Sequence, residues 1–271
     1  MFPLENYLSN SFGYGVSTGR SMPMLISRGC PYQCTFCSSP QMWTTKWQAR
    51  DPDCVIEEMQ FYIDKYKATN FDFYDLTAIV KKSWIIEFCK ELISRNLNIT
   101  WQLPSGTRSE AIDNEVTPLL YKSGCRNMAY APESGSERML VSIKKKVKLS
   151  KMVKSLKSSV REGINVKINI IIGFPDETHK EMLETLRFVL DAAFMGVSDV
   201  YLASFAPYPG SELFDQMYKN GQIPKLDDEY FLNLTSYTDL LHSYSYSRHV
   251  GHRMLSVYRI GGMSMFYILN F

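Results

Sequence analysis

The chain has 271 residues, 45% of them apolar and 13% aromatic, which is enough to bury a large core and excludes a disordered protein. Lys and Arg number 30 against 28 Asp and Glu, and the resulting formal charge of +2 lacks the basic excess that nucleic-acid binding demands, so no nucleic-acid partner is expected. The first residues, MFPLENYLSN, show no basic region followed by an apolar run, so no secretory signal is visible and the six cysteines are expected to be reduced in the cytoplasm.

Residues 1–21 read as an irregular, Gly- and Ser-containing lead, and Met22–Ser27 as a short buried strand that runs into a cysteine-rich loop. An amphipathic helix follows from Pro52 to Lys67. The alternation then repeats: strand Phe71–Leu76 with helix Lys81–Arg95, strand Ile99–Leu103 with helix Asn114–Lys122, and strand Arg126–Ala131 with helices Ser136–Ile143 and Ser150–Glu162. Two more units complete the series, Val166–Ile172 with Thr178–Gly196 and Val200–Phe205 with Ser211–Asn220. Strands alternating with helices imply α/β architecture with parallel strands and right-handed crossovers. Six units are two short of a closed eight-fold barrel, so a partial (βα)6 barrel over residues 22–222 is the expected core, with reactive groups at the carboxyl ends of the strands.

Residues 223–271, rich in Tyr and Ser (Tyr237, Tyr244, Tyr246), read as a small helical extension. Its last stretch, Gly261–Phe271, is hydrophobic and has two readings: a docked terminal helix, or the opening turns of a membrane anchor that would place the protein at a membrane surface. No internal run reaches the ~18 apolar residues of a spanning helix. The basic run Lys144, Lys145, Lys146, Lys148, Lys151, Lys154 and Lys157 reads as a solvated helix face without function. His249 and His252 lie three apart, but no nearby acid or thiol completes a metal site around them, and His179 and His242 are isolated.

Cys30, Cys34 and Cys37 crowd into one loop, whereas Cys54, Cys89 and Cys125 are scattered on or beside helices and read as packing residues. Three thiols separated by three and then two residues wrap one metal centre, and a cubane held by three cysteines keeps one iron for a non-protein ligand. A structural zinc site needs a fourth Cys or His at short spacing, and none lies between Cys37 and Cys54. Gly29 and Pro31 suit a loop that approaches a metal closely and holds a rigid turn. Phe36 either packs in the core or lays its face over a bound aromatic ring.

At Arg28-Gly29-Cys30-Pro31-Tyr32-Gln33-Cys34-Thr35-Phe36-Cys37 the chain resembles the radical SAM superfamily, whose signature is three cysteines in this spacing with an aromatic residue before the last. The resemblance implies a 4Fe-4S cluster on Cys30, Cys34 and Cys37 and S-adenosylmethionine on the open iron, cleaved reductively to a 5′-deoxyadenosyl radical that abstracts hydrogen from a substrate. It implies a reductant such as flavodoxin or ferredoxin. Glu133 and Ser134 of Ala131-Pro132-Glu133-Ser134-Gly135-Ser136 match the family segment whose carboxylate accepts hydrogen bonds from ribose. The alternative is a helix amino terminus capped by Ser134 or Ser136. Gly173 of Ile171-Ile172-Gly173-Phe174-Pro175 and Pro207 of Ala206-Pro207-Tyr208-Pro209-Gly210 resemble the segments that flank adenine, with plain turn chemistry as the alternative for both. Asp75 is expected to hold the amino group of the cofactor, although Phe73-Tyr74-Asp75-Leu76 has one acid where relatives often show two. Arg108 is expected either to pair with the cofactor carboxylate or to lie exposed.

Together these segments resemble the branch that carries an amino-terminal cobalamin-binding domain, including the anaerobic magnesium-protoporphyrin ester cyclase and hopanoid-tailoring relatives. Only 29 residues precede Cys30, so the cobalamin domain is absent from this chain: the chain is expected to be a piece of a longer reading frame whose missing domain supplies cobalamin, the alternative being that it works without cobalamin. Methyl transfer or oxidative cyclisation on a small, lipid or tetrapyrrole-like molecule is the implied chemistry. The rivals are a non-catalytic iron-sulfur remnant and a tRNA methylthiotransferase, which would need a second set of three cysteines. No residue stands out as catalytic beyond the cofactor sites, and the sequence names no substrate.

Overall fold

The computed structural model describes residues 4–9, 19–223, 225–235, 239 and 243–270. In chain order the elements begin with α1 (Leu4–Ser9), β1 (Ser21–Met24), β2 (Ser27–Arg28), α2 (Ser39–Trp43), β3 (Gln48–Ala49), α3 (Pro52–Tyr66), β4 (Asn70–Phe73), α4 (Lys82–Ser94) and β5 (Thr100–Thr107). They continue with α5 (Val116–Lys122), β6 (Cys125–Glu133), α6 (Glu137–Ser142), α7 (Leu149–Arg161), β7 (Asn165–Ile172), α8 (His179–Phe194), β8 (Asp199–Ser204), α9 (Glu212–Lys219), α10 (Asp228–Leu234) and α11 (His252–Leu269).

Six strands form one sheet in the order β1-β4-β5-β6-β7-β8, with β2 and β3 paired separately. The six expected strand-helix units are all present, and the sequential order leaves β1 and β8 at opposite edges, so the sheet is open. Local chemistry sets the boundaries. Helix α3 starts where the Asp51 carboxylate accepts the Asp53 N–H at 2.9 Å ahead of Pro52, and it stops at Lys67 in the left-handed region with φ 56°. Helix α8 starts where Glu181 accepts the Thr178 N–H at 2.9 Å, the backward limb of a capping box. Elements beyond the expected series are α1 inside the lead, the single-turn α2, and the β2·β3 pair.

The chain forms two compact units. The first comprises Met1–Gly29, Lys46–Tyr130 and Ser150–Lys167. In it the side chains of β4 alternate: Phe71 and Phe73 are fully buried, Phe73 meets Phe88 of α4 and Trp101 of β5, and Trp84 stacks on Phe88 with ring centroids 5.4 Å apart. The opposite face carries a polar chain. The Asp72 carboxylate accepts from the Ser21 hydroxyl and from the amides of Asn70 and Gln102, whose carbonyl in turn accepts from Asn127.

The second unit comprises Cys30–Thr45, Ala131–Leu149 and Ile168–Phe271. Its core gathers Met139, Ile143, Phe174, Phe205, Phe214, Met217 and Tyr230. Helix α11 packs on α8 and β8 through Leu255, Gly262 and Phe266, and a Cβ at Gly262 would come within 2.5 Å of Leu186. Arg259 of α11 is fully buried and donates to the carbonyls of Leu202 and Asp239 and to the Ser243 hydroxyl. Among the described residues no helix is long and apolar enough to cross a membrane, and of the two readings of the hydrophobic C-terminal stretch the structure has the docked helix. Tyr237 and His242 lie outside the described residues.

Candidate active site

The loop that carries Cys30, Cys34 and Cys37 is closed at its base by the antiparallel pairing of Ser27 with Ala49 and Arg28 with Gln48. Gly29 turns the chain out of β2 with φ 78°, a conformation that only glycine adopts without strain. The Cys37 N–H donates to the Cys34 carbonyl at 3.1 Å, which makes a tight turn between the last two thiols. Between them the Thr35 N–H donates to Ile143 at 3.0 Å and its carbonyl accepts from Leu213 at 2.8 Å, so the loop is fixed on the end of α6 and the start of α9. All three thiols are reduced and half-buried. In a cubane each cysteine binds its own iron, and three cysteines with no fourth Cys or His between Cys37 and Cys54 are such a donor set. The donor set therefore fits a cluster better than a zinc ion.

Phe36 meets Phe174 edge-on at 5.8 Å, and Phe174 lies against Phe205 at 5.0 Å. Phe174 directly follows Gly173, which closes β7 with φ 89°. The N–H groups of Gly173 and Phe174 donate to one carboxylate oxygen of Glu177 at 2.6 and 3.2 Å. Burial lifts the Glu177 carboxyl to about 7, and its other oxygen has no partner. The Pro207 carbonyl accepts the Tyr230 hydroxyl.

Glu133 ends β6 in the left-handed region, φ 68°, where a residue other than glycine is strained by ~1–3 kcal/mol. Its carboxylate pairs with Lys145 Nζ at 2.8 Å, both side chains being no more than 10% exposed. Ser134 is turned away to Thr185 of α8 at 3.1 Å, and the Gly135 N–H donates to the same hydroxyl at 3.1 Å. A Cβ on Gly135 would sit 2.5 Å from that of Phe188, so the segment needs glycine there. Ser136 occupies the cap position of α6, but its hydroxyl makes no cap bond. Buried oxygens without partners recur in the second unit's strand ends and cysteine loop: Thr35 Oγ1, Ser136 Oγ, Glu177 Oε1 and Ser204 Oγ. Two more, Thr77 Oγ1 and Ser109 Oγ, lie in the first unit, so a buried oxygen without a partner does not by itself mark a site.

Asp75 and Arg108 belong to the first unit. Asp75 is 1% exposed, and its carboxylate accepts from the Ile26 N–H, the Ser27 N–H and the Ser27 hydroxyl. Arg108 is buried rather than exposed, and its guanidinium holds Glu110 through Nε at 3.1 Å and Nη2 at 2.5 Å.

Sequence reasoning missed Lys145 and Glu177. The lysine run was expected to form one solvated face, yet it divides: Lys144 makes an exposed pair with Glu212 at 2.6 Å, while Lys145 is buried on Glu133. The left-handed turn at Lys144, φ 53°, separates the two neighbours, and no local pattern in a run of identical charges marks such a reversal. Glu177 had a local signal, an acid four residues beyond a strand-ending glycine.

The family model of the Radical SAM superfamily matches residues 24–189. An uncharacterised methyltransferase of Pyrococcus horikoshii is 27% identical over 220 residues, 81% of this chain and 45% of that protein. The anaerobic magnesium-protoporphyrin IX monomethyl ester cyclase of Rubrivivax gelatinosus is 26% identical over 71% of this chain and 34% of its own length. Among solved structures, the radical S-adenosylmethionine methyltransferase TsrM from Kitasatospora setae, with cobalamin and a 4Fe-4S cluster bound, superposes with a TM-score of 0.65 at 14% identity, covering 78% of this chain and 44% of TsrM. The chain thus spans less than half the length of each of these relatives.

Proposed function

The chain belongs to the radical SAM superfamily, and on that premise we propose that Cys30, Cys34 and Cys37 hold a 4Fe-4S cluster whose fourth iron takes S-adenosylmethionine. The observation that carries this reading is the cysteine loop: three half-buried thiols with their connecting backbone fixed at Thr35 and Cys37, at the carboxyl side of the first strand. When bound and reduced, the pair supplies one-electron cleavage of the sulfonium, giving a carbon radical able to take hydrogen from an unactivated position.

The protein's own residues bind and orient. Lys145 holds one Glu133 oxygen and so aims the carboxylate, whose other oxygen can accept from ribose hydroxyls. Gly173 and Phe174, tied to Glu177, form with Phe36 an apolar edge suited to adenine, and Pro207 is offered for the adenine side on the family resemblance alone. Their bulk excludes water, which protects a radical from quenching. The family resemblance alone points Asp75 and Arg108 at the cofactor, but each is already engaged by protein partners and neither is assigned a cofactor contact.

For the protein as a whole we propose methyl transfer or oxidative ring closure on an organic substrate, with an external reductant and with cobalamin supplied from outside the residues described. The methyltransferase and cyclase activities of its relatives support this. The test is anaerobic reconstitution with iron and sulfide, followed by dithionite and S-adenosylmethionine. A brown protein that releases 5′-deoxyadenosine or methylated product is the expected result. Colourless or zinc-loaded material would overturn the cluster assignment, and a brown protein that leaves S-adenosylmethionine intact would make the chain a non-catalytic remnant.

A further inference from the structure

The cysteine loop stands on two feet, Ser27 before it and Trp47 after it, and both are bonded to one short segment, Asp75–Thr77. The Thr77 carbonyl accepts the Trp47 indole N–H at 3.0 Å and lies 3.3 Å from the Ser27 hydroxyl. Two residues earlier in the same segment, the Asp75 carboxylate takes both backbone N–H groups of Ile26 and Ser27, and the Ser27 hydroxyl at 2.6 Å. Arg50, just past the second foot, adds its N–H to the Ile26 carbonyl at 2.9 Å and its guanidinium to the Leu25 carbonyl at 3.0 Å. A carboxylate offers about four acceptor positions. Three donors from the foot of the loop already converge on this one, and an acid buried this deeply is held in place only while such bonds persist.

We propose that Asp75 is the positioning residue of the cluster loop: it locks residues 26 and 27, four and three positions before Cys30, and thereby fixes where the first ligand emerges. This rests on the reading of Cys30, Cys34 and Cys37 as cluster ligands, and it gives Asp75 a different task from holding the amino group of S-adenosylmethionine. Because the bonds are made by the protein alone, the clamp exists before any iron binds.

Three variants of the full chain decide the matter: Asp75→Ala, Asp75→Asn and Ser27→Ala. Each is loaded anaerobically, and iron loss to excess chelator is timed. S-adenosylmethionine affinity is then measured on protein that retains its cluster, and amide hydrogen exchange at residues 26–28 and 48–49 is followed in iron-free protein. Asp75→Ala should lose iron about 10–100-fold faster than wild type, as removal of a group supporting a metal ligand commonly does, with affinity for S-adenosylmethionine unchanged. Exchange at both feet should accelerate without iron. Asp75→Asn keeps one oxygen to accept from Ser27 and should fall between, and Ser27→Ala should share the faster loss even if Asp75→Ala fails to fold. Wild-type iron retention together with unchanged exchange would overturn the proposal. So would weakened S-adenosylmethionine binding at normal retention, which returns Asp75 to the cofactor. If wild type itself takes up no iron, the cluster reading falls, while the exchange measurement still reports whether Asp75 holds the feet.

Discussion

Two groups of thiols in this protein live under opposite conditions. Cys89 on α4 and Cys125 at the start of β6 are fully buried, and burial pushes the Cys89 thiol up to about 12 and Cys125 higher still. Such sulfurs remain protonated, with Cys89 accepting from the Ser123 hydroxyl at 3.4 Å. The loop cysteines instead keep their side chains half-open while the peptide groups around them carry the anchoring bonds. Metal ligation needs the thiolate, so the difference separates sulfur that packs from sulfur in the setting that the proposed ligand role requires. The same distinction extends to acids. Asp75 takes three donors from the stretch just before the cysteine loop, whereas Glu177 keeps one buried oxygen unengaged and Glu133 has one oxygen on Lys145.

The sharpest way to break the comparison is to exchange the two groups' fates. Alanine at Cys30, Cys34 or Cys37 should abolish the reconstituted chromophore and S-adenosylmethionine cleavage, while alanine at Cys89 or Cys125 should leave iron content at the wild-type level. Loss of iron in the second pair would erase the distinction. Next in size is Lys145→Met, which strands the Glu133 carboxylate in a buried site and should cost ~3–5 kcal/mol by urea unfolding. Adding Glu133→Gln to it should restore most of that stability and none of the cofactor affinity. Should affinity return as well, Glu133 is only a structural partner of Lys145.

Glu177 gives a pH-dependent version of the test. Its carboxyl titrates near 7 in the folded chain against an ordinary 4.5, so the folded state holds the proton more tightly. The resulting stabilisation is full below pH 4.5, declines as pH rises, and is gone above about 7. Glu177→Gln has no proton to lose, so relative to wild type it should gain about 3 kcal/mol between pH 4.5 and 8, because a tenfold change in proton affinity is worth about 1.4 kcal/mol. A stability difference flat across that range would show that the buried carboxyl titrates normally. The smallest expected effect is that of Cys89→Ala on stability, about 1–2 kcal/mol for a small buried cavity, read as a lowered denaturation midpoint at unchanged slope.

Much of this organisation was legible in the residues. Six alternating strand and helix segments gave the sheet its parallel course because their periodicities of two and about 3.6 do not mix. The hydrophobic end, Gly261–Phe271, was ambiguous for a physical reason: apolar residues read alike whether a lipid or a neighbouring helix covers them. Gly262 against Leu186 and the buried Arg259, tied to Leu202, give α11 a protein cover. Asp75 was equally ambiguous. Its position after a strand marks it as available to a cofactor, but the donors of Ile26 and Ser27 come from the stretch just before the cysteine loop, more than forty residues earlier.

By itself the sequence determined the spacing of the three cysteines and the strand that delivers them, since these depend on neighbours within one turn or one loop. Only the tertiary structure decided which charges are paired. Lys145 and Lys144 are adjacent and identical, yet one is buried on Glu133 and the other lies at the surface beside Glu212. Bonds between residues distant in the chain follow from where the backbone brings them, and local composition carries no record of that meeting.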